Sequence, residues 1–305
     1  MAQHSLEWQD TVPDACRGGV VAIGNYDGVH RGHAALIAEL RRQARDLRGP
    51  AVALTFDPHP LELLRPGQAQ PLLTTVADRV RLLHELGADH VIVLHTTPSF
   101  LALSAAEFFE RVVRERLAVR AVVEGSNFGF GHNREGNVET LARLCRAAGL
   151  AFAIVPPVRV GATEVSSSRV RAALLSGDVA AAANLIGRPH RLVGTVGVGE
   201  RRGRTIGFPT ANLERLQTLV PADAVYAVRA HVGATAYPAA ANVGPNPTFG
   251  EKARKVEVHL IGFTGDLYAQ VLAIDFSRRL RDTRPFASVA ELIEQLRRDV
   301  EQCSV

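Results

Sequence analysis

The sequence predicts an α/β domain with a parallel sheet, followed by a small antiparallel β domain, a barrel or a sandwich, that ends in a helix. In the first half of the chain, short apolar runs alternate with stretches of helical period, which is the pattern of βαβ units. From Leu192 onward, short β-like runs are separated by turns rich in glycine and proline. The 305 residues suggest two domains at roughly 150 residues each, which we place at residues 1–186 and 187–305.

Each predicted strand of the first domain is a short apolar run, and a stretch of helical period follows it. Strands joined in this way pair in parallel, with helices on both faces of the sheet, and their ligands lie beyond the carboxyl ends of the strands. The predicted strands are Gly19–Ile23, Ala51–Phe56, His90–Leu94, Arg120–Glu124 and Ala151–Val155, and the predicted helices are Ala34–Leu47, Val76–Leu86, Ala105–Leu117, Glu135–Ala148, Ser168–Leu175 and Val179–Leu185.

The second domain shows short strands between turns such as VGERRG, ANVGPNP and FTGD. A single helix is predicted at the end of the chain, because Ser288 and Glu291 have the spacing of a capping box before apolar residues of helical period. The predicted strands include Leu192–Val198, Ala224–Val232, Val256–Ile261 and Gln270–Phe276.

Composition excludes several classes of protein. Hydrophobic residues make up 47% and charged residues 22%, which are values of a globular chain rather than a disordered one. No apolar run is long enough to cross a membrane, and the N-terminus lacks a signal peptide, so a cytoplasmic location is expected. Cys16, Cys145 and Cys303 are far apart, so we expect plain thiols rather than zinc ligands or disulfides. The net charge of +4, without a basic stripe, argues against a nucleic-acid partner.

The first predicted strand runs directly into the sequence GNYDGVHRGH, and a helix follows. His30 and His33 share one face of the helix start, where free N–H groups and the helix dipole favour anions. The glycines of this segment allow the backbone to approach a phosphate closely. We therefore expect it to hold the phosphates of a nucleoside triphosphate during attack on the α-phosphorus. A surface pair of histidines is the alternative, and the position directly after a strand argues against it.

Further candidates follow other strands or begin another helix. The segment SSSRVR combines hydroxyl groups, helix N–H groups and an arginine, which suits a leaving pyrophosphate, although an ordinary serine cap is equally consistent. TFDPHP follows the second predicted strand, and GSNFGFG follows the fourth, so both are placed to line a cleft. Neither of these two segments requires a function by itself.

The second domain carries one candidate metal site and one candidate base. Thr210 and Asn212 are two residues apart, so in extended chain they point to the same face, and their oxygens suit Mg²⁺ that is already held by phosphates. A polar turn that closes the β domain is the alternative. Glu257 is the one acid on the aliphatic strand VEVHL, where it can act as general base or simply face solvent.

Together these motifs carry a resemblance to a known family. GNYDGVHRGH, TFDPHP, NFGFG and SSSRVR resemble the adenylyltransferase half of the prokaryotic bifunctional riboflavin kinase/FMN adenylyltransferases, or FAD synthetases. GRTIGFPTANL, NVGPNPTF, VEVHL, DLYA and RLRDTRPF resemble the riboflavin kinase half. The resemblance implies a Rossmann-like nucleotidyltransferase domain followed by a small antiparallel β-barrel kinase domain with a C-terminal helix. It also implies ATP-dependent phosphorylation of riboflavin to FMN, with Mg²⁺, and adenylylation of FMN to FAD with release of pyrophosphate.

The resemblance also implies a role for each matching residue. In the first domain the implied catalytic residues are His30 and His33, the ATP-binding residues are Gly24, Tyr26, Asp27, Ser167, Ser168 and Arg169, and the flavin-binding residues are His59 and Asn127. In the second domain Gly203 and Thr210 are implied to bind ATP, Thr210 and Asn212 to bind Mg²⁺, Glu257 to be catalytic and Arg281 to bind flavin.

Five positions depart from the family pattern: Glu124, Gly129, Ala224, Ala269 and Thr283. A carboxylate at Glu124 would disfavour two anionic substrates unless it is paired or points away. Alanine costs stability where the backbone needs a positive φ, so we expect rearranged loops at Ala224 and Ala269. These departures keep two alternatives open, a chain with riboflavin kinase activity alone and a flavin-binding regulator without turnover. The sequence leaves the oligomeric state open.

Overall fold

The computed structural model describes residues 2–68, 70–199, 203, 206–245 and 253–303. The contacts of the chain divide it into two compact units. The first unit comprises Met1–Gln70 and Val76–Val165, and the second unit comprises Pro71–Thr75 and Ser166–Val305. By their contacts, residues 166–186 are therefore part of the second unit, whereas the boundary that we place from the sequence assigns them to the first domain.

The first unit is built on a six-stranded sheet of order β1-β4-β3-β2-β5-β8, in which all neighbours are parallel. Apolar side chains cover both faces of this sheet, as in other parallel sheets. The predicted parallel sheet with helices is confirmed. Its strands are β1 (Ala2–Leu6), β2 (Val20–Ile23), β3 (Ala51–Asp57), β4 (His90–His95), β5 (Ala121–Gly125) and β8 (Ala151–Val155), and short two-residue strands are β6 (Gly129–Phe130), β7 (Gly136–Asn137), β9 (Arg159–Val160) and β10 (Thr163–Glu164).

The helices of the first unit begin where the sequence offers caps. Ser104 and Glu107 form a capping box at the start of α5, and Asn137 caps α6 through its side chain. Helix α5 continues directly into a π-helical stretch, Phe109–Arg116, so that the predicted helix Ala105–Leu117 is formed in two geometries. The helices are α1 (Arg31–Asp46), α2 (Pro60–Leu64), α3 (Val76–Leu86), α4 (Pro98–Leu101), α5 (Ala105–Phe108) and α6 (Val138–Ala147).

Strand β2 is the point at which the strand order of the sheet reverses, with β3 on one side and β5 on the other. It makes four residue pairs with β3 but only two with β5, which end at Val21 and Val122. The two strands therefore separate toward their carboxyl ends. A crevice of this kind, at a reversal of strand order, is where open α/β sheets bind their ligands.

The edge strand β1 was not predicted from the sequence. Its residues AQHSL contain a single large apolar side chain, and exposed and half-buried positions alternate along it. It pairs only with β4, from Ala2 opposite His90 to Leu6 opposite Leu94. An edge strand buries little apolar surface, so its hydrophobic signal in the sequence is weak.

The second unit contains a closed barrel of order β11-β12-β15-β14-β13-β16, in which all paired neighbours are antiparallel. The expectation of an antiparallel barrel with a C-terminal helix is confirmed. No helix among the described residues is long and apolar enough to span a membrane. The elements are α7 (Ser167–Leu175), α8 (Val179–Ile186), β11 (His190–Gly197), β12 (Ala211–Glu214), β13 (Ala224–Val232), β14 (Thr235–Gly244), β15 (Lys255–Leu260), β16 (Val271–Arg281) and α9 (Val289–Cys303).

Ala224 and Ala269, two of the five positions that depart from the family pattern, differ in backbone conformation. Ala269 has φ +60°, in the left-handed region that favours glycine, so alanine is strained there. Ala224 instead begins strand β13, where it pairs with Val243 and is fully buried, and it is not among the positive-φ residues. The cost of alanine at a positive φ therefore applies at Ala269 and not at Ala224, and the rearrangement of these loops stays a prediction.

Candidate active sites

The loop between β2 and α1 has an unusual backbone. Tyr26 has φ +47°, Gly28 has φ +88° and Val29 has φ +37°, and the N–H of Val29 donates to the carbonyl of Tyr26 across 3.0 Å. Gly24 lies beneath the Tyr26 ring, since a Cβ on this glycine would stand 3.4 Å from the ring. The chain thus turns sharply at the end of β2, and Tyr26 is buried at 1% exposure.

His30 and His33 cap the start of α1 for one another. Nδ1 of His30 accepts the backbone N–H of His33, and Nδ1 of His33 accepts the backbone N–H of His30, both at 3.3 Å. Their rings stack with centroids 3.7 Å apart and planes 10° apart. Because both Nδ1 atoms act as acceptors, each neutral ring carries its proton on Nε2. The pair therefore presents N–H donors at Nε2 from a fixed position at a helix start.

Gly32, between the two histidines, is required by the stacked arrangement. A Cβ at this position would stand 3.1 Å from Cε1 and 3.2 Å from Nδ1 of the His30 ring. Contacts this short would displace the ring by a few tenths of an ångström. The glycine therefore permits the observed position of the His30 ring.

A buried arginine supports the loop from beneath. Arg79 on α3 is 1% exposed, and its Nη1 donates to Thr55 Oγ1 at 3.2 Å and to the carbonyl of Phe56 at 3.0 Å. Thr55 in turn donates to the carbonyl of Asn25 at 3.1 Å. Burial lowers the pKa of the Arg79 guanidinium, an effect that Asp27 opposes. Asp27 is itself 2% exposed. Sequence analysis did not identify Arg79, because it lies inside an ordinary helical pattern.

Glu124 occupies the gap that opens between β2 and β5. Its Oε1 accepts the backbone N–H of Ile23 at 2.7 Å, where the ladder to β5 has already ended. The side chain is 1% exposed, and burial raises the pKa of this carboxyl well above its ordinary range, against the opposing hydrogen bonds from the backbone of Ile23 and Gly125. Burial therefore favours the uncharged form of Glu124, and the side chain points into the sheet. The expected conflict with anionic substrates was conditional on an unpaired carboxylate, and the structure pairs this carboxyl with the backbone N–H of Ile23.

Tyr26 lies close to Glu124 in the same buried region. Burial raises the pKa of the Tyr26 hydroxyl well above its ordinary value, and Glu124 raises it further. This hydroxyl is buried and has no hydrogen-bond partner among the described residues. The Tyr26 ring contacts the edge of His33 at a centroid distance of 5.2 Å, so the tyrosine holds the histidine pair by packing.

The predicted flavin-binding residues of the first unit follow two other strands. His59, after β3, caps α2 by accepting the N–H of Leu61 at Nδ1, 3.1 Å away. Asn127, after β5, is exposed. The guanidinium of Arg134 packs against the unusual Gly129, where a Cβ would come within 2.8 Å of its Nη2, and it donates to the carbonyl of Asn127 at 3.4 Å. Gly129 thus makes room for an arginine from further along the chain.

The segment Ser167–Arg169 begins α7, which is grouped with the second unit. Ser166 is the cap of this helix and accepts the N–H of Arg169 at 3.3 Å. Ser168 and Arg169 are exposed. The ordinary serine cap is therefore formed, by Ser166, and the predicted contact of Ser167, Ser168 and Arg169 with ATP stays a prediction.

Strand pairing brings the predicted residues of the barrel together. Asn212 on β12 lies directly opposite Glu257 on β15, and Glu257 is also opposite Asn242 on β14. Their neighbours Ala211, Val256, Val258 and Val243 are buried, whereas these three polar residues are half-buried. They therefore form one polar row on the face of the strands that is turned away from the barrel core.

The turn before β12 approaches the same row. The Pro209 carbonyl of this turn accepts a hydrogen bond from Nδ1 of His259 at 2.8 Å, and the ring of Phe208 contacts His259 edge-on with centroids 5.4 Å apart. His259 is two residues from Glu257 on β15 and was not identified from the sequence. Gly203 closes the turn, because its carbonyl accepts the N–H of Phe208 at 2.8 Å, and a Cβ there would be 2.2 Å from the Phe208 carbonyl.

Thr210 is exposed, and its Oγ1 would be 3.5 Å from a Cβ on Gly203. Thr210, Asn212 and Glu257 thus lie along one turn and two paired strands and offer hydroxyl, amide and carboxylate oxygens. These are donors that suit Mg²⁺. The residues Arg204, Thr205 and those of the NPTF segment lie outside the described residues.

Arg281 has an internal partner in the second unit. It makes an ion pair with Asp299 of α9, with Nη2 to Oδ2 at 2.8 Å, and its guanidinium carbon lies 5.6 Å from the centre of the Phe286 ring. Asp299 is 1% exposed. The structure thus gives Arg281 the role of attaching the C-terminal helix to the end of β16, and its predicted contact with flavin stays a prediction. Nothing in the structure explains Thr283.

Comparison with known proteins matches a family to each half of the chain. The model of the FAD synthetase family matches residues 12–169, and the model of the riboflavin kinase family matches residues 186–305. The two matches divide the chain between a nucleotidyl-transfer domain and a flavokinase barrel. The two families define the class as a two-domain enzyme that transfers a nucleotidyl group and a phosphoryl group to flavins.

Individual relatives extend over almost the whole chain. The bifunctional riboflavin kinase/FMN adenylyltransferase of Escherichia coli K12 is 36% identical over 283 residues, which are 92% of this chain and 90% of that protein. The Bacillus subtilis enzyme of the same name is 34% identical over 289 residues, covering 93% and 90%. The chain belongs to the bifunctional riboflavin kinase/FMN adenylyltransferase family.

A solved structure is similar in fold over the full length. The crystal structure of a macrolide-efflux protein from Streptococcus pneumoniae is 32% identical, with a TM-score of 0.88, and the match covers 100% of this chain and 99% of that one. The name of that protein refers to efflux, whereas both family models refer to flavin synthesis. For this chain the comparison establishes the shared fold.

Proposed function

We propose that the first unit adenylylates FMN through His30 and His33, and that the barrel phosphorylates riboflavin through Glu257. The two reactions are those of the family: ATP-dependent phosphorylation of riboflavin to FMN, then transfer of AMP from ATP to FMN, which gives FAD and pyrophosphate. The observation that carries the assignment is the reciprocal histidine cap at the start of α1, at the place where β2 and β5 separate. The predicted cytoplasmic location stays a prediction.

In the first unit, the Nε2–H groups of His30 and His33 would donate to phosphate oxygens of ATP. The helix dipole at the start of α1 favours the same negative charge. A phosphate oxygen of FMN would attack the α-phosphorus, and pyrophosphate would leave with the electron pair of the broken P–O bond. This reaction needs positioning and neutralisation of charge rather than a covalent nucleophile. A rigid pair of donors on a buried loop provides both.

In the barrel, Glu257 would accept the proton of the 5′-hydroxyl of riboflavin as this oxygen attacks the γ-phosphorus of ATP. Asn212, directly opposite, and Thr210, on the adjoining turn, fit a Mg²⁺ ion that comes with ATP, since they offer neutral oxygens beside one carboxylate. When bound, this ion neutralises charge on the phosphates. The hydrogen-bonded contact between His259 and Pro209 holds the turn against β15, which keeps Thr210 near Glu257.

Two alternatives follow from the sequence, a chain with the kinase activity alone and a flavin-binding regulator. A regulator predicts that catalytic residues are lost, whereas all the matching residues of both motif sets are in place. The hydrogen bond that Glu124 accepts from the backbone N–H of Ile23 also removes one reason to expect a lapsed adenylyltransferase.

Chromatographic analysis of products tests the proposal. The purified chain is incubated with riboflavin, ATP and Mg²⁺, and flavins are separated over time. We expect FMN to appear first and FAD to accumulate with an equal amount of pyrophosphate. FMN as the final product would establish the kinase alone, and unchanged riboflavin with measurable flavin binding would establish the regulator. A parallel incubation with FMN in place of riboflavin measures the second reaction independently of the first.

A further inference from the structure

Three metal-ligating side chains meet in the first unit, away from the loop after β2. Nε2 of His4 lies 3.5 Å from Nδ1 of His90. One ligand atom from each of His4, Cys16 and His90 lies within 4.8 Å of the other two. The three residues are far apart in the sequence, so no local motif reveals the cluster. It forms because β1 pairs with β4 and because the short 3₁₀ turn Asp14–Cys16 packs beside them.

This cluster is separate from the nucleotide site. His90 is the first residue of β4. The segment 24–30 between β2 and α1, which we call the phosphate loop, follows the carboxyl end of β2. Ligands of the reaction bind beyond the carboxyl ends of parallel strands. His90 lies five residues before His95, the last residue of β4, which at roughly 3.3 Å per residue is about 17 Å from that end of the strand.

The distances suit a tetrahedral ion. Zinc binds imidazole nitrogen at about 2.0–2.1 Å and thiolate sulfur at about 2.3 Å, so a tetrahedral site places two nitrogens roughly 3.3 Å apart and nitrogen and sulfur roughly 3.6 Å apart. The two histidine nitrogens are already at 3.5 Å. The Cys16 sulfur lies within 4.8 Å of both, so a movement of at most about 1 Å completes the site.

The donor set selects the kind of ion. Two imidazoles and a thiolate suit borderline ions such as Zn²⁺ and Co²⁺, whereas Mg²⁺ prefers oxygen ligands. Cys16 is fully buried, and His4 and His90 are half-buried, so the ion would lie at the edge of the core. Its fourth position would face solvent and take a water molecule.

We infer that His4, Cys16 and His90 bind one Zn²⁺-class ion, in a structural site that is independent of both reactions. Binding replaces three water ligands of the hydrated ion with two Zn–N bonds and one Zn–S bond and releases the thiol proton of Cys16 to water. It also breaks the hydrogen bond between His4 and His90, and the proton of that bond moves through solvent to the other nitrogen of the same ring. The ion would attach the edge strand β1 to β4 and to the segment that leads into β2. The N-terminal edge of the sheet is thereby tied at three places in the chain.

Cobalt substitution tests the site on the full-length chain. The purified protein is dialysed against a chelator and then titrated with Co²⁺ while its absorption spectrum is recorded. We expect one equivalent of Co²⁺ to produce a thiolate-to-Co²⁺ charge-transfer band with ligand-field bands of tetrahedral intensity, and Zn²⁺ to remove both. Absence of a charge-transfer band at excess Co²⁺ would contradict the site.

Cys145 provides a matched control for Cys16, since it is also fully buried in the same core cluster. We expect Cys16→Ala to abolish the charge-transfer band and weaken Zn²⁺ binding by at least about 100-fold, and Cys145→Ala to leave both unchanged. His4→Gln, at a half-buried position, should reduce Co²⁺ affinity while keeping the fold, and so it tests the site even if Cys16→Ala does not fold. A band that survives in Cys16→Ala, or is lost in Cys145→Ala, would overturn the assignment.

Both activities serve as an internal check. Because the cluster is remote from the phosphate loop, chelated protein supplied with Mg²⁺ should form FMN and FAD at the rate of untreated protein. A loss of either reaction that Zn²⁺ restores would overturn the structural role that we assign to the ion.

Discussion

The two candidate sites are held in place by different means. In the first unit, the phosphate loop is fixed locally, by three positive-φ residues, by a reciprocal histidine cap and by a core beneath it. Tyr26, Asp27 and His30 are exposed by only 1%, 2% and 6%. In the barrel, Asn212 and Glu257 are half-buried and are brought together by strand register. The first site thus depends on the backbone of one short segment, and the second on the pairing of distant strands.

This difference predicts where substitutions will act. Changes within the first loop should alter the geometry of the site, even when they leave the fold intact. Changes to side chains of the polar row in the barrel (Asn212, Asn242 and Glu257) should remove one chemical group and leave its neighbours in place, because the barrel as a whole sets the register of the strands.

The largest effect that we predict in the barrel is that of Glu257→Gln. Glutamine keeps the shape of the side chain but cannot accept the proton of riboflavin, so kinase turnover should fall by about 10²–10⁴-fold. The measurement is the initial rate of FMN formation at saturating ATP. The KM for ATP should change little, because Thr210 and Asn212 remain, and FAD formation from supplied FMN should be unaffected. A near-parent rate of FMN formation would show that Glu257 is an ordinary surface residue of the strand.

Gly32→Ala sharpens the comparison in the first unit. Alanine favours a helix more than glycine does, but its Cβ would stand 3.1 Å from the His30 ring and displace it. A displacement of this size should reduce the rate of FMN adenylylation by roughly tenfold. The rate of riboflavin phosphorylation by the same preparation is the control. Adenylylation at the parent rate would mean that the stacked geometry of the two histidines is not needed.

Glu124→Gln tests the buried acid that closes the gap between β2 and β5. The raised pKa means that the folded first unit keeps a proton which the unfolded chain releases. Stability of the parent should therefore fall as pH rises above about 4.3, by at most about 1.4 kcal/mol per pH unit. Glutamine retains an oxygen to accept the N–H of Ile23 and has no proton to lose, so the variant should lack this decline and be more stable than the parent near pH 8.

The single tryptophan makes this measurement specific. Trp8 lies in the first unit, packs against its core and donates to Ser99 Oγ at 3.3 Å, so its fluorescence reports unfolding of that unit by urea. Glu115→Gln, at an exposed position of the same unit, should leave the pH dependence of the parent unchanged. Equal slopes for the parent and Glu124→Gln would contradict a raised pKa of Glu124.

The sequence predicted the two folds and the motif residues because those signals are local. Strand and helix periods, the glycines of the phosphate loop and the capping box at Ser288 can each be read within a few residues. The hydrogen bond from Ile23 to Glu124 and those of Arg79 to Thr55 and Phe56 join residues far apart in sequence, so no local pattern reveals them. The same reason explains why Glu124 was expected to disturb anion binding, whereas the structure pairs it within the sheet.

The resemblance to the family identified side chains but not their partners. Asn212 and Glu257 were assigned separate roles, and only the register of β12 and β15 shows that they are direct neighbours. His259 was missed because a histidine on an alternating strand gives no signal until the turn at Pro209 is seen to contact it. Arg281 was assigned to flavin, and the structure shows its ion pair with Asp299, which a sequence cannot predict across a helix and a strand.

The most direct test of two independent sites in one chain is a comparison of both half-reactions in a His30→Ala/His33→Ala double variant. FAD formation from FMN and FMN formation from riboflavin are measured on the same preparation, beside the parent. The account predicts that FAD formation falls far more than tenfold, a loss of well over about 1.4 kcal/mol of barrier stabilisation, while FMN formation stays at the parent rate. FAD formation within tenfold of the parent, or an equal loss of both reactions, would contradict it.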